Sequence, residues 1–255
     1  TMFMHGKKII VSGPQEDRVI RAFNNVRFYK TDMSGKCDSL HSSTKNELTQ
    51  LIGKPVLWNN ENQMTGNVMH LIGNNETEKL DSLKVLNNAF IIQKDSLSKN
   101  GFNQMKGQNL FGRFEENKLK EVDIIKNAES IYYIYNDKNE FVGIRKSVCS
   151  RINLEMNENK IETMTGFNNT ESNIYPDNEF PENARKLRGF AWRGDERILS
   201  KENIFPEEEL AIDAKVQIDA QKKAIESDKP MEIQKETLEY DEKNPKPKDK
   251  TVKKL

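Results

Sequence analysis

The residues of this 255-residue chain that could do chemistry are three histidines (His5, His41, His70), two cysteines (Cys37, Cys149) and forty carboxylates. Two histidines one helical turn apart, or two cysteines in a CxxC pair, aim their ligand atoms at one point and so gather a metal ion or form a redox couple. Neither spacing occurs, and there is no GxSxG nucleophile elbow, GxGxxG turn or Walker loop. The forty Asp and Glu are balanced by forty Lys and Arg, the composition of solvated sheet faces rather than of a paired acid and base. An enzyme would need Asp38, Asp81 or Asp95, each opening a recurrent Asp-Ser-Leu, to converge in one pocket. The expectation is therefore no catalytic constellation, no metal site and no cofactor. A Cys37–Cys149 bridge would need an oxidising compartment, and ordinary strand cysteines are the preferred reading. Cys149 is placed on a polar face by its parity against Val148, Ile152, Leu154 and Met156. The sequons at Asn75 and Asn168 arise by chance in so asparagine-rich a chain.

Formal neutrality argues against a nucleic-acid partner, which usually demands a basic excess. The basic and aromatic residues Arg27, Tyr29 and Lys30 stand beside Asp32 and read as surface. With 35% hydrophobic residues and a mean hydropathy of −0.83, either part of the chain lacks a packed core or one face of a sheet is wet. No apolar run approaches the roughly 20 residues that span a bilayer as a helix. The opening TMFMHGKKIIVSG reads as the end of a strand, so a chain shortened at its N-terminus is expected and the lack of a targeting segment says nothing.

The elements that must position any site are strands. From Leu48 to Ile72 two apolar-alternating arms flank WNNENQ, whose asparagines tolerate left-handed backbone and make a turn. The unit echoes along the chain as the apolar pairs Val26/Phe28, Val56/Trp58 and Ala89/Ile91, with a weaker copy at Ala128/Ser130. The steps are 30, 33 and 39 residues, and the copies are followed by Gly35, Gly66, Gly107 and Gly143. Such an echo with variable loops predicts stacked antiparallel β repeats. Asn24-Asn25 reads as a kink inside a long strand, and Tyr132, Tyr133 and Tyr135 as strand. The domain reading is β structure over 1–165, then an extended surface or capping segment over 166–205. In that segment Leu187, Phe190 and Trp192 dock on the end of the stack or on a partner. A helix follows over 206–228, with Pro206 and Glu207 to Glu209 in its first turn, and a disordered charged tail over 229–255.

The ordered motifs NNVRFYKTDMSGKCDSL, IGKPVLWNNENQMTGN, NNAFI with FNQMKGQNLFG, KNAESIYYIY with FVGIRKSVCS, and LRGFAWRGDER resemble the OstA/LptA-like proteins of lipopolysaccharide transport. The likeness is to the long OstA-like variants of Bacteroidetes and covers roughly residues 8–205. The resemblance implies an all-β, open β-jellyroll, V-shaped in section and periplasmic, whose apolar channel carries the acyl chains of lipopolysaccharide. Its expected partners are lipopolysaccharide, other jellyroll components at the inner and outer membranes, and further copies of itself, head to tail. The family offers no fixed side-chain signature. Parity within the repeat nominates Val26, Phe28, Val56, Trp58, Ala89, Ile91 and Tyr132 as the groove lining. The alternative is a structural or adhesive β-solenoid with a filled core and no lipid. The tail beyond 205 departs from the short members of the family.

Overall fold

A computed structural model of the chain describes residues 2–206, apart from 78, 99, 158 and 159, and the helical residues Ala211, Lys215, Val216, Ile218 and Asp219. The rest of the expected helix at 206–228, and the tail at 229–255, lie outside the described residues. Ten runs of chain, each bent once near its middle, follow one another as an antiparallel meander in one sheet. In chain order they are β1 and β2 (Phe3–His5, Lys8–Ser12), β3 (Val19–Lys30), β4 (Met33–Ser43), β5 and β6 (Leu48–Ile52, Val56–Asn59), and β7 and β8 (Asn62–Thr65, Val68–Asn74). There follow β9 (Lys79–Lys94), β10 (Phe102–Glu115), β11 (Lys118–Tyr135), β12 (Phe141–Asn157), and β13 and β14 (Lys160–Phe167, Glu171–Tyr175), each named pair being one run broken at its bend.

The bends divide the sheet into two walls. The first holds β2, β5, β8, β13 and one arm of each long strand. The second holds β1, β6, β7, β14 and the other arms. Every second run turns on two successive left-handed residues: Asn24-Asn25, Gly53-Lys54, Asn87-Asn88, Lys126-Asn127 and Asn168-Asn169, all with φ between 50° and 79°. Asparagine and glycine dominate because the left-handed region costs other L-residues about 1–2 kcal/mol each. In four of these pairs the carbonyl of the first residue accepts an N–H from the neighbouring run: Lys7 to Asn24, Asp38 to Gly53, Asn67 to Asn87, and Ser150 to Asn168. The bend therefore keeps its backbone paired, as buried polar groups require. Asn24-Asn25 is the expected mid-strand kink.

Each wall turns one face toward the other, and the two faces share one core. Across the first wall runs a rung in continuous register: Ile9, Ala22, Leu40, Leu51, Met69, Val85, Leu110, Ile124, Ile152 and Gly166. Its eight central members are at most 2% exposed. The second wall answers with Met4, Phe28, Gly35, Leu57, Met64, Ile91, Met105, Ser130, Ser147 and Ser172. Gly35 is obligatory there, because a Cβ would lie 2.5 Å from the Phe28 ring that covers it. Polar residues line the outer face of the first wall, where His41, Gln50, His70 and Lys84 stand in one cross-strand row. The outer face of the first wall is wet, one of the two arrangements the composition allows.

Three expectations need correction. The sheet does not end at 165, since β13 runs to Phe167 and β14 pairs with β12. The Asn168-Asn169 bend that joins them looks, in sequence, like the start of a loop. Cys149 is buried in the core rather than on a polar face, whereas Val148 is exposed. The bend at Ser150 and Arg151 reverses the parity, so Cys149 faces inward together with Ile152. Finally, the Phe190 and Trp192 cluster docks on the outer face of the second wall and not on the end of the stack.

Candidate functional site

The candidate site is the space between the walls. Of the nominated lining, Val26, Phe28, Ala89 and Ile91 lie in the shared core, and Tyr132 packs against it partly buried. Burial pushes the Tyr132 phenol above its ordinary range, helped by the charge of Asp95. Val56 and Trp58 do not join this column. Trp58 pairs with Ser34 and Gln63, on the face opposite to Leu57, and Val56 shares its parity. The inward residues of that run are Pro55 and Leu57, because its left-handed pair is Gly53-Lys54. Alignment on apolar pairs misses this by one residue, and one residue moves a side chain to the other face of a sheet. Alignment on the bend itself, Gly-Lys against Asn-Asn, would have found Leu57.

Alignment on apolar pairs also leaves the methionines out of the lining. Met33, Met64, Met69, Met105 and Met156 are buried in the core, with Met4 and Met164 packed against it, seven of the nine in the chain. Unbranched thioethers repack around guests of different shape more readily than Leu or Ile does. The interior is apolar along the second wall from Met4 to Met105, then becomes serine at Ser130, Ser147 and Ser172. Ser147 and Ser172 share a 2.9 Å hydroxyl hydrogen bond. At the usual strand spacing of about 4.8 Å, the apolar stretch is roughly 29 Å long.

The interior reaches solvent at a mouth between the tips of the walls. This cleft of about 670 Å³ has Phe28, Met33, Leu71 and Leu80 in its lining, with Lys30 and Lys79 at its rim. Lys30 Nζ spans the mouth to Asn117 Oδ1 at 3.4 Å, and Asn117 also accepts the Leu80 N–H at 2.9 Å. No family model and no curated protein matches the sequence. Solved structures similar in fold include the crystal structure of LptH, the LptA homologous periplasmic component of the conserved lipopolysaccharide transport device from Pseudomonas aeruginosa. That likeness has a TM-score of 0.43 at 14% identity, and covers 58% of this chain and 100% of that one.

Trp58, with Gln63, Ile92, Gln104 and Ile131, belongs to the outer face of the second wall. The segment after β14 lies across this face as a strap, and Phe180, Leu187, Phe190 and Trp192 complete a second core with Phe90, Ile92, Ile131, Tyr133 and Ile144. Two glutamines clasp it. Gln104 donates to the Arg185 carbonyl at 2.7 Å and accepts the Leu187 N–H at 2.9 Å. Gln63 donates to the Ala191 carbonyl at 2.8 Å and accepts the Arg193 N–H at 2.7 Å. At the edges of the sheet, β2 exposes Ile9, Ile10 and Val11, and β14 exposes Ile174.

Among the described residues no group of three or more His, Cys, Asp or Glu could hold a metal ion. No described helix is long and apolar enough to cross a membrane. Both cysteines are free and buried, and desolvation lifts the Cys37 thiol to about 12.

Proposed function

We propose that this chain is a periplasmic lipid carrier of the lipopolysaccharide-transport kind, binding acyl chains between its two walls. The observation that carries the reading is the apolar, methionine-rich interior that runs in register from the β1 and β2 edge toward the far end and opens at the mouth. Burying acyl chain there is worth about 0.8 kcal/mol per CH₂, so a chain of about a dozen carbons gains on the order of 10 kcal/mol before the cost of parting the walls. Transport of this kind needs shape and apolar lining and no catalytic group. The two outer edges carry unpaired backbone and apolar side chains, which suits joining to other jellyroll components at either membrane, or to a second copy head to tail.

A structural β protein with a filled core is the second reading, favoured by one observation: the interior side chains already pack closely against one another, with Phe28 1% exposed. A photo-crosslinking residue placed at Leu57, Ile91 or Trp58 in lipopolysaccharide-producing cells separates the two. The carrier gives lipopolysaccharide adducts from Leu57 and Ile91 and none from Trp58, which faces the strap. No adduct from any inward position would sink the carrier and leave the filled core.

A further inference from the structure

On the outer side of the bend, away from the groove, the repeated corners and the strap enclose a concavity of about 720 Å³. Its floor is one outward-facing row of the second wall, Thr65, Phe90, Lys106 and Glu129, in cross-strand register. Its rim is made by the left-handed pairs Asn87-Asn88 and Lys126-Asn127, which flank Gln108 of the intervening strand, and by Arg188-Gly189 of the strap. The strap is fixed at this point. Gln104 clasps the residues on either side of Lys186, and Lys106 Nζ reaches the Arg188 carbonyl at 3.3 Å.

The charges in this concavity do not balance. Lys106 is paired with Glu129 at 3.0 Å. Lys126 and Arg188 line the same space with no ion-pair partner among the described residues. The side-chain amides of Asn87, Gln108 and Asn127 are likewise without a hydrogen bond among the described residues, so each has a donor to offer. Both cations are exposed, and an anion seated in the concavity they line takes charge-assisted hydrogen bonds from them. Phosphate suits the set well, since a guanidinium binds it in bidentate fashion and an ammonium binds it as a point charge.

We infer that this corner concavity is a binding site for a phosphate-bearing group, with Lys126 and Arg188 as its principal ligands and Lys106 as a third, partly neutralised one. The group is either carried on a lipid headgroup at a membrane surface or free on a soluble phosphorylated compound.

The test uses the full chain and two probes. Inorganic pyrophosphate is titrated calorimetrically, and vesicles of phosphatidylglycerol in phosphatidylcholine are assayed by flotation. Binding of pyrophosphate alone supports the site with a soluble source, and binding of vesicles, with or without pyrophosphate, supports it with a headgroup source. In either case Lys126→Gln with Arg188→Gln weakens binding by about tenfold per lost cation, and added salt weakens it further. Glu129→Gln, which frees Lys106, tightens it. These side chains sit on the surface, so thermal melts of the variants match the parent. The inference is overturned if neither probe binds, or if the double variant binds as well as the parent. Because the concavity lies outside the groove, this result and the crosslinking result stand or fall separately.

Discussion

Gln104→Leu tests how the strap is held. Gln104 is 1% exposed and bonds the strap twice, to the Arg185 carbonyl and the Leu187 N–H. Leucine keeps most of the volume but makes neither bond, so a buried N–H and a part-buried carbonyl are stranded. Each stranded group costs about 1–3 kcal/mol, and because the carbonyl end can recover some solvent, we expect about 2–4 kcal/mol for the pair. The loss falls on strap docking rather than on the sheet, whose own ladder is untouched. The fraction of molecules with an open strap should therefore rise roughly 30- to 800-fold. Trypsin reads this directly, since Arg185, Lys186 and Arg188 all lie at the clasp and cleavage tracks the open population when closing is fast. Gln63→Leu should do the same around Arg193, and the double variant should approach the sum. Cleavage after Arg185 to Arg188 that rises less than about threefold, or that rises only in step with global unfolding, would refute the clasp.

Gly107→Ala places a Cβ 2.6 Å from Ile124 Cγ2 and 3.0 Å from the Ile125 carbonyl, and should destabilise the bend by about 1–3 kcal/mol in denaturant melts. Glu196 is held at about 2 chiefly by its hydrogen bonds from Arg193, against some desolvation, with Lys36 adding to the effect. A depressed carboxylate contributes stability that is present above its unfolded value of about 4.5 and lost as pH falls through about 2. Strap docking, followed by Trp192 fluorescence, should weaken over that window in the parent and weaken less in Glu196→Gln. Cys37 and Cys149 should both resist alkylation at pH 8 until the protein is unfolded, since burial raises both thiols. The intact mass should show no disulfide, because the sheet order sets several strands between β4 and β12.

Strands, the kink at Asn24-Asn25 and the docking role of Phe190 and Trp192 were legible because each has a local cause: alternation, a residue type that accepts left-handed backbone, and an apolar cluster in a polar tract. The strap's anchorage was not legible. Gln63 and Gln104 are ordinary polar residues in sequence, and their role depends on backbone groups more than eighty residues away. The groove was legible in part. Val26, Phe28, Ala89 and Ile91 follow left-handed asparagine pairs at one fixed offset, whereas the second copy carries Gly53-Lys54 and one further residue, Pro55, ahead of its apolar pair.

That offset belongs to a rule for the whole sheet. In runs that bend on a left-handed pair, the inward residues on either side are four apart: Ala22 and Val26, Leu51 and Pro55, Val85 and Ala89, Ile124 and Ala128, Gly166 and Thr170. In the runs between them the inward residues are three apart: Gly6 and Ile9, Cys37 and Leu40, Gly66 and Met69, Gly107 and Leu110, Cys149 and Ile152. A step of four preserves even-odd alternation through the corner, and a step of three reverses it. Parity read straight through a strand therefore succeeds in β3, β9 and β11 and fails in β12, where it places Cys149 outside. The left-handed pair is the extra length that lets one run follow a bend shared with a shorter neighbour. It recurs on alternate runs, so that long and short corners alternate across the sheet.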